Sequence, residues 1–248
     1  MTIHAVLLDP PHPEFGLAGF ADGTPLSPAE AAALYAAATK DTLRAVAASG
    51  GSLLVNHRDP DDVPAGAPDP EASARELAAS ALEDPEAARF EVQVGSTFEA
   101  RAGNTATHLL GEEDADSVAV LDGTVPGLTR TTLDEAAMKL RRHGVVVGPA
   151  PGGRVAYLGL SRPVDFEGAY GSPALESVTR NAVEADRSVA FLASHGRIDR
   201  PGGLASVVAE VRARRSADRP VPAFTAARIE EWGLRVEHRD GEAVVLRE

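Results

Sequence analysis

The chain has 248 residues, 44% of them hydrophobic, which is enough for one large α/β unit or two small ones around a substantial core. It contains no cysteine, so disulfides, thiolate metal sites and cysteine nucleophiles are excluded. The formal net charge is −13, all but two of its 24 basic residues (Lys40 and Lys139) are arginine, and no basic stripe occurs, which disfavours generic nucleic-acid binding.

Acidic excess, scarce lysine and 4% aromatics read as a halophilic surface, an environmental trait that says nothing about partners. Ile3 to Leu8 is a short apolar run that reads as a buried strand, with no basic flank before it. Neither signal peptide nor membrane span is expected, and the cytoplasm is the default compartment. Asp9-Pro10-Pro11-His12-Pro13 ends the strand, and the segment to Pro25 is a long loop of the kind compact domains keep for function. Ser27-Pro28-Ala29-Glu30 starts a helix: serine at the N-cap, proline at the first position, glutamate at the third. That helix runs past Val46 to Gly50-Gly51, and Ser52 to Asn56 is the second strand. A Pro/Asp/Gly-rich loop from Asp59 to Pro70 leads to a helix over 71–82, and Phe90 to Val94 alternates as a third strand.

A helix carrying Glu99, Arg101, His108 and Leu109 follows, interrupted at Gly103-Asn104. Ser117 to Leu121 is a strand, Asp122 to Thr129 a turn, Arg130 to His143 a helix and Gly144 to Val147 a strand. Gly148 to Gly153 is a glycine-rich loop before the strand Val155 to Leu160. Helices over 175–185 and 203–214 flank a strand at 189–192. A helix over 225–232 and a hairpin turning at Asp240-Gly241 close the chain. Strands alternating with helices predict a three-layer αβα fold with a mostly parallel central sheet. Residues 1–215 would form the main domain, and 216–248 a helix-plus-hairpin extension packed on it.

Four places carry a resemblance to a known family. Pro10-Pro11-His12-Pro13 sits where that family has a lysine, two prolines, a variable residue and a proline. Val120 to Thr129 is similar to its strand-to-loop run ending Asp-Cys-Pro-Gly-Leu-Thr. Val147 to Gly153 with Tyr157 to Leu160 resembles its glycine-rich loop and strand, and Arg197-Ile198-Asp199-Arg200-Pro201 its closing Asp-Val-Asp-Thr-Pro. The family is domain-of-unknown-function family 2064, glycosyltransferase-A-like proteins of the nucleotide-diphospho-sugar transferase superfamily, related to cofactor guanylyltransferases. On this resemblance the chain would be a divergent member, and its acidic composition suggests a haloarchaeal one.

The resemblance implies a glycosyltransferase or nucleotidyltransferase that takes a nucleotide sugar or nucleoside triphosphate with Mg²⁺ or Mn²⁺. It implies Asp122 and Asp199 as metal ligands, Asp122 as the catalytic acid, and Arg101, Thr124, Gly152 and Gly153 as substrate contacts. Asp9 stands in place of the family's lysine, Thr124 in place of a metal-type aspartate, and Pro151 in place of a carboxylate. These departures support an alternative, a transferase-fold protein without turnover that acts as a binding or assembly module.

The residues themselves leave further alternatives open. Asp122 before Gly123 also suits a turn cap, and Asp199 a cap for the following helix. Gly152-Gly153 also suits a tight turn between strands, and Arg101 a solvated helical position. The histidines, His4 among them, show no metal-ligand spacing. Gly171-Ser172-Pro173 and the hairpin after Gly233 are candidate contacts for a homodimer.

Overall fold

The computed structural model describes residues 1–15, 17, 20, 23–171, 173–239 and 241–248. Ser172 and Asp240, singled out in the sequence, lie outside them. β1 (Thr2–Leu8), β2 (Ser52–His57), β3 (Arg89–Val92), β4 (Ser117–Asp122), β5 (Val145–Ala150), β6 (Arg154–Leu160) and β7 (Val189–Phe191) form one sheet, ordered β3-β2-β1-β4-β6-β5-β7. Its pairs are parallel except those made by β6, which runs antiparallel to β4 and β5. Only Pro151-Gly152-Gly153 joins β5 to β6, and so short a link cannot make a parallel crossover. Gly152 and Gly153 have φ of +76° and +71°, the left-handed region that glycine enters without strain.

The α-helices among the described residues are α1 (Pro28–Ala47), α2 (Pro70–Ala81), α3 (Phe98–Gly111), α4 (Arg130–Leu140), α5 (Ala174–Glu184), α6 (Pro201–Ser216) and α7 (Ala223–Glu231). At the start of α1 the Ser27 hydroxyl accepts the Glu30 N–H while the Glu30 carboxylate accepts the Ser27 N–H, the reciprocal cap its sequence predicts. Strand alternation divides the core in two. Val6 and Leu8 pack with Leu43 of α1, Leu77 of α2 and Leu133 of α4. Ala5 and Leu7 face the other way, toward Ala106 and Leu109 of α3 and Val178 of α5. The result is the expected αβα sandwich.

A third cluster covers the outer side of α1. Leu34 and Ala38 meet Leu204 and Val208 of α6, Ile229 of α7, and Leu234 and Val245 of the hairpin β8 (Leu234–Arg239) and β9 (Glu242–Arg247). The hairpin is a separate two-stranded sheet and does not extend the main one. Asp41 of α1 ties this layer down: its two carboxylate oxygens accept the N–H groups of Phe224 and Thr225 at 3.1 and 2.8 Å, capping the start of α7.

Two local expectations are corrected. α3 runs unbroken through Gly103-Asn104, because the missing side chain of Gly103 admits the Phe166 ring: a Cβ there would lie 3.3 Å from it. β5 extends to Ala150, so Gly148-Pro149-Ala150 belong to a strand rather than a loop. A register shift between Gly148 and Pro149 accommodates the proline. No described helix is long and apolar enough to cross a membrane.

Candidate functional site

The connections from β1 lead to β2 and β3 on one side, while β4 lies on its other side. The topological switch point therefore falls between β1 and β4, where open α/β sheets form their binding crevice at the carboxyl ends of the strands. A cavity of about 210 Å³ opens there, lined among others by Asp9, Tyr35, Asp122, Arg154, Arg197 and Asp199.

Each of these side chains is held by a local cause. Asp9 follows the last residue of β1; its N–H donates to the Tyr35 hydroxyl of α1 at 3.0 Å, and its carboxylate lies 3.6 Å from Arg58 at the end of β2. Burial pushes the Asp9 carboxyl above its usual range; Arg58 and Arg101 pull it back only in part, and Asp122 adds to the rise. Gln93, just past β3, donates to the carbonyls of Leu8 and Asn56 at 2.8 and 2.6 Å and so ties three strand ends together. Its own amide oxygen accepts Nε of Arg101 at 2.7 Å. Arg101 is thus buried, not the solvated helical arginine that the sequence also allowed.

Asp122 ends β4. One of its oxygens accepts both the N–H and the hydroxyl of Thr124, which makes it the cap of its own turn. The turn presses on α1, and a Cβ on Gly123 would come within 2.1 Å of the Thr39 hydroxyl. The carbonyl of Thr124 accepts the Ile198 N–H at 2.9 Å, drawing in the segment that carries Arg197 and Asp199.

Arg197 is the centre of the cluster. It donates Nη2 to the second oxygen of Asp122 at 2.6 Å, Nη2 and Nε to one oxygen of Asp199 at 2.8 and 3.0 Å, and Nη1 to the Val155 carbonyl at 2.8 Å. Arg154, the first residue of β6, pairs with the other Asp199 oxygen. Burial alone would ease the proton off Arg197, but Asp122 and Asp199 outweigh it and keep the guanidinium charged. Burial likewise raises the Asp199 carboxyl, and the pairs with Arg154 and Arg197 outweigh that and hold it below the usual range.

Of the residues that the sequence nominated, Asp122, Thr124 and Asp199 come together at this cavity, with Arg101 behind Gln93. Gly152 and Gly153 do not line it; they form the turn that precedes Arg154. Asp199 does not cap α6, whose first turn has no side-chain cap. The sequence reading passed over Arg58, Arg154 and Arg197 as site residues. A signal for one of them was available: in an extended segment, Arg197 and Asp199, two apart, point the same way. The crevice, where Asp9 stands in place of a lysine, receives positive charge from the end of β2, the start of β6 and the segment before α6.

Cation fit follows from these contacts. All four carboxylate oxygens of Asp122 and Asp199 already accept hydrogen bonds, and the described residues include no group of three His, Asp or Glu side chains that could hold a metal ion. As placed, the residues do not fit a divalent cation at this pair of aspartates.

The start of α6 explains its two glycines differently. A Cβ on Gly203 would lie 2.1 Å from the Arg197 carbonyl oxygen, whereas one on Gly202 would meet nothing within 4 Å. Gly203→Ala is expected to destabilise by about 1–3 kcal/mol through this clash, and Gly202→Ala to stabilise by about 0.5–1 kcal/mol through helix propensity. Urea titration of the two variants side by side checks the contrast; equal effects would refute it.

Residues 65–170 match the family model described as "Uncharacterized protein conserved in bacteria (DUF2064)". That stretch holds Asp122 and Arg154 but not Asp9, Arg197 or Asp199. No curated protein matches the sequence. Among solved structures the chain is similar to a candidate nucleotide-diphospho-sugar transferase from Desulfovibrio desulfuricans G20, with a TM-score of 0.69 and 18% identity over 93% of this chain and 94% of that one. Fainter likenesses include a CMP:2-keto-3-deoxy-manno-octonic acid synthetase complexed with CTP, with a TM-score of 0.48 and 10% identity over 88% of this chain and 99% of that one. Another is the 4-diphosphocytidyl-2C-methyl-D-erythritol synthase of Anaerococcus prevotii DSM 20548, with a TM-score of 0.45 and 12% identity over 77% and 86%. At 18% identity the first of these likenesses shows a shared fold and nothing beyond it.

Proposed function

We propose that the cavity between the ends of β1 and β4 binds a nucleotide-activated donor, a nucleotide sugar or nucleoside triphosphate, and that the protein is a divergent glycosyl- or nucleotidyltransferase. The observation that carries this reading is the convergence of Arg154 and Arg197 on a polar cavity at the switch point of a transferase-type sheet. Guanidinium groups there suit a diphosphate, whose charge grows as the donor bond breaks. At about 210 Å³ the cavity takes the phosphate end of such a donor, and the remainder would extend outward. The family resemblance adds Mg²⁺ or Mn²⁺ to this picture, but no step is assigned to a metal, because the oxygens of Asp122 and Asp199 are committed to hydrogen bonds.

A second reading, binding without turnover, is favoured by that same commitment: neither Asp122 nor Asp199 is left with an unengaged oxygen to act as a base. Thermal unfolding in high salt with UDP- and GDP-sugars and with nucleoside di- and triphosphates tests the shared claim. A bound donor at 100 times its dissociation constant should add about 2.7 kcal/mol of stability. No shift with any donor would refute donor binding. Release of nucleoside diphosphate or pyrophosphate above the protein-free rate would select the enzyme over the binding module.

A further inference from the structure

We infer that Arg154 and Arg197 stand in for a divalent cation: the cavity holds the diphosphate of its ligand by guanidinium contact and recruits no metal through Asp122 and Asp199. The inference rests on the donor reading above and sharpens it.

The oxygen inventory comes first. A magnesium-like cation requires about six oxygen ligands in near-octahedral array, at about 2.0–2.1 Å. Here the gap between Asp122 and Asp199 is filled by the Arg197 guanidinium, which bonds to both carboxylates and is anchored from behind by the Val155 carbonyl at 2.8 Å. A cation entering the gap would have to displace a charged side chain that is only 9% exposed and already bonded to both carboxylates.

The charge balance points the same way. At Asp122 and Asp199 themselves, two guanidiniums balance two carboxylates as one divalent cation would, while Asp9 and Glu99 line the cavity besides. Unlike a bound cation, the guanidiniums are neither chelated nor titrated away in the physiological range.

Donor capacity completes the argument. Arg154 spends one Nη on Asp199, while its Nε and second Nη have no protein partner among the described residues, and its side chain lines the cavity. That leaves a planar pair of donors on a side chain that lines the cavity, the fork that arginine offers phosphate oxygens. Arg197 is the positioning residue: it fixes Asp199, and Asp199 in turn orients Arg154.

The test uses the full chain and two independent titrations. In the first, free Mn²⁺ is followed by its electron paramagnetic resonance signal without any nucleotide. The wild-type protein is expected to leave the signal unchanged. Stoichiometric Mn²⁺ uptake that Asp122→Asn abolishes would overturn the inference.

In the second, UDP- and GDP-sugars are titrated calorimetrically in EDTA and again in Mn²⁺. Equal affinity in the two media is expected, and affinity that appears only with Mn²⁺ would overturn the inference. Arg154→Met, at a partly exposed position, is expected to weaken donor binding by about tenfold or more, the loss of one charge-assisted pair. Unchanged affinity in this variant would also count against the inference. Absence of donor binding in both media would defeat the donor reading instead, while the nucleotide-free Mn²⁺ titration would still decide the claim about the metal.

Discussion

Arg197→Met is expected to lower the unfolding free energy by about 3–5 kcal/mol, the cost of removing one partner from a buried ion pair and leaving charge uncompensated. The side chains of Arg197, Asp122 and Asp199 are only 9%, 11% and 15% exposed, so water cannot readily replace the lost guanidinium. Asp122 would keep only its bonds from Thr124, and Asp199 only its pair with Arg154. Methionine retains much of the buried stem, which isolates the charge from the packing. Adding Asp122→Asn to Arg197→Met should return part of the loss, because the orphaned charge is then gone; the coupling is read from a double-mutant cycle in urea. A loss below about 1 kcal/mol for Arg197→Met would show the pair to behave as a solvated surface bridge.

Acidification from neutral pH is expected to cost stability through His4, well before most carboxylates titrate. His4 lies in the middle of the sheet, 1% exposed, and neither ring nitrogen has a hydrogen-bond partner among the described residues. Its ring packs over Gly51, where a Cβ would come within 2.4 Å, and sits 6.4 Å from the Tyr157 ring. Burial lowers its pKa from 6.5 to about 4, with Asp134 opposing weakly.

The unfolded chain therefore binds the proton more tightly than the folded one. The stabilising contribution of neutral His4 is complete above pH 6.5 and is lost as the pH falls toward 4. At about 1.4 kcal/mol per decade of proton concentration, the loss reaches about 3 kcal/mol at the lower end of that window. Urea midpoints between pH 7 and pH 4.5 measure it, and His4→Leu should flatten the slope. An unaltered slope in that variant would assign the acid sensitivity to other groups.

Much of the secondary structure was legible because its causes are local. The Ser27–Glu30 cap spans three residues, the proline at position 28 fixes the start of α1, and the hairpin arms flank a glycine with φ of +87° at position 241. The layered, mostly parallel sheet likewise followed from strands alternating with helices. The misreadings, too, have identifiable causes. Gly103 reads as a helix breaker until Phe166, sixty-odd residues along, explains the missing side chain. Gly148-Pro149 reads as a loop because a proline in a strand is tolerated only where pairing is already irregular.

The candidate site was legible only in part, for the same reason carried further. By itself the sequence determined most of the elements and the layering, since periodicity and capping act within a few residues. Which charges meet in the crevice was decided by the tertiary structure alone. Arg197 reaches Asp122 across 75 residues, and Arg154 reaches Asp199 across 45. Coulomb attraction depends on distance in space and on burial, neither of which the order of residues states. Asp122 thus read as a metal ligand or a turn cap; folded, it caps its turn with one oxygen and binds an arginine with the other.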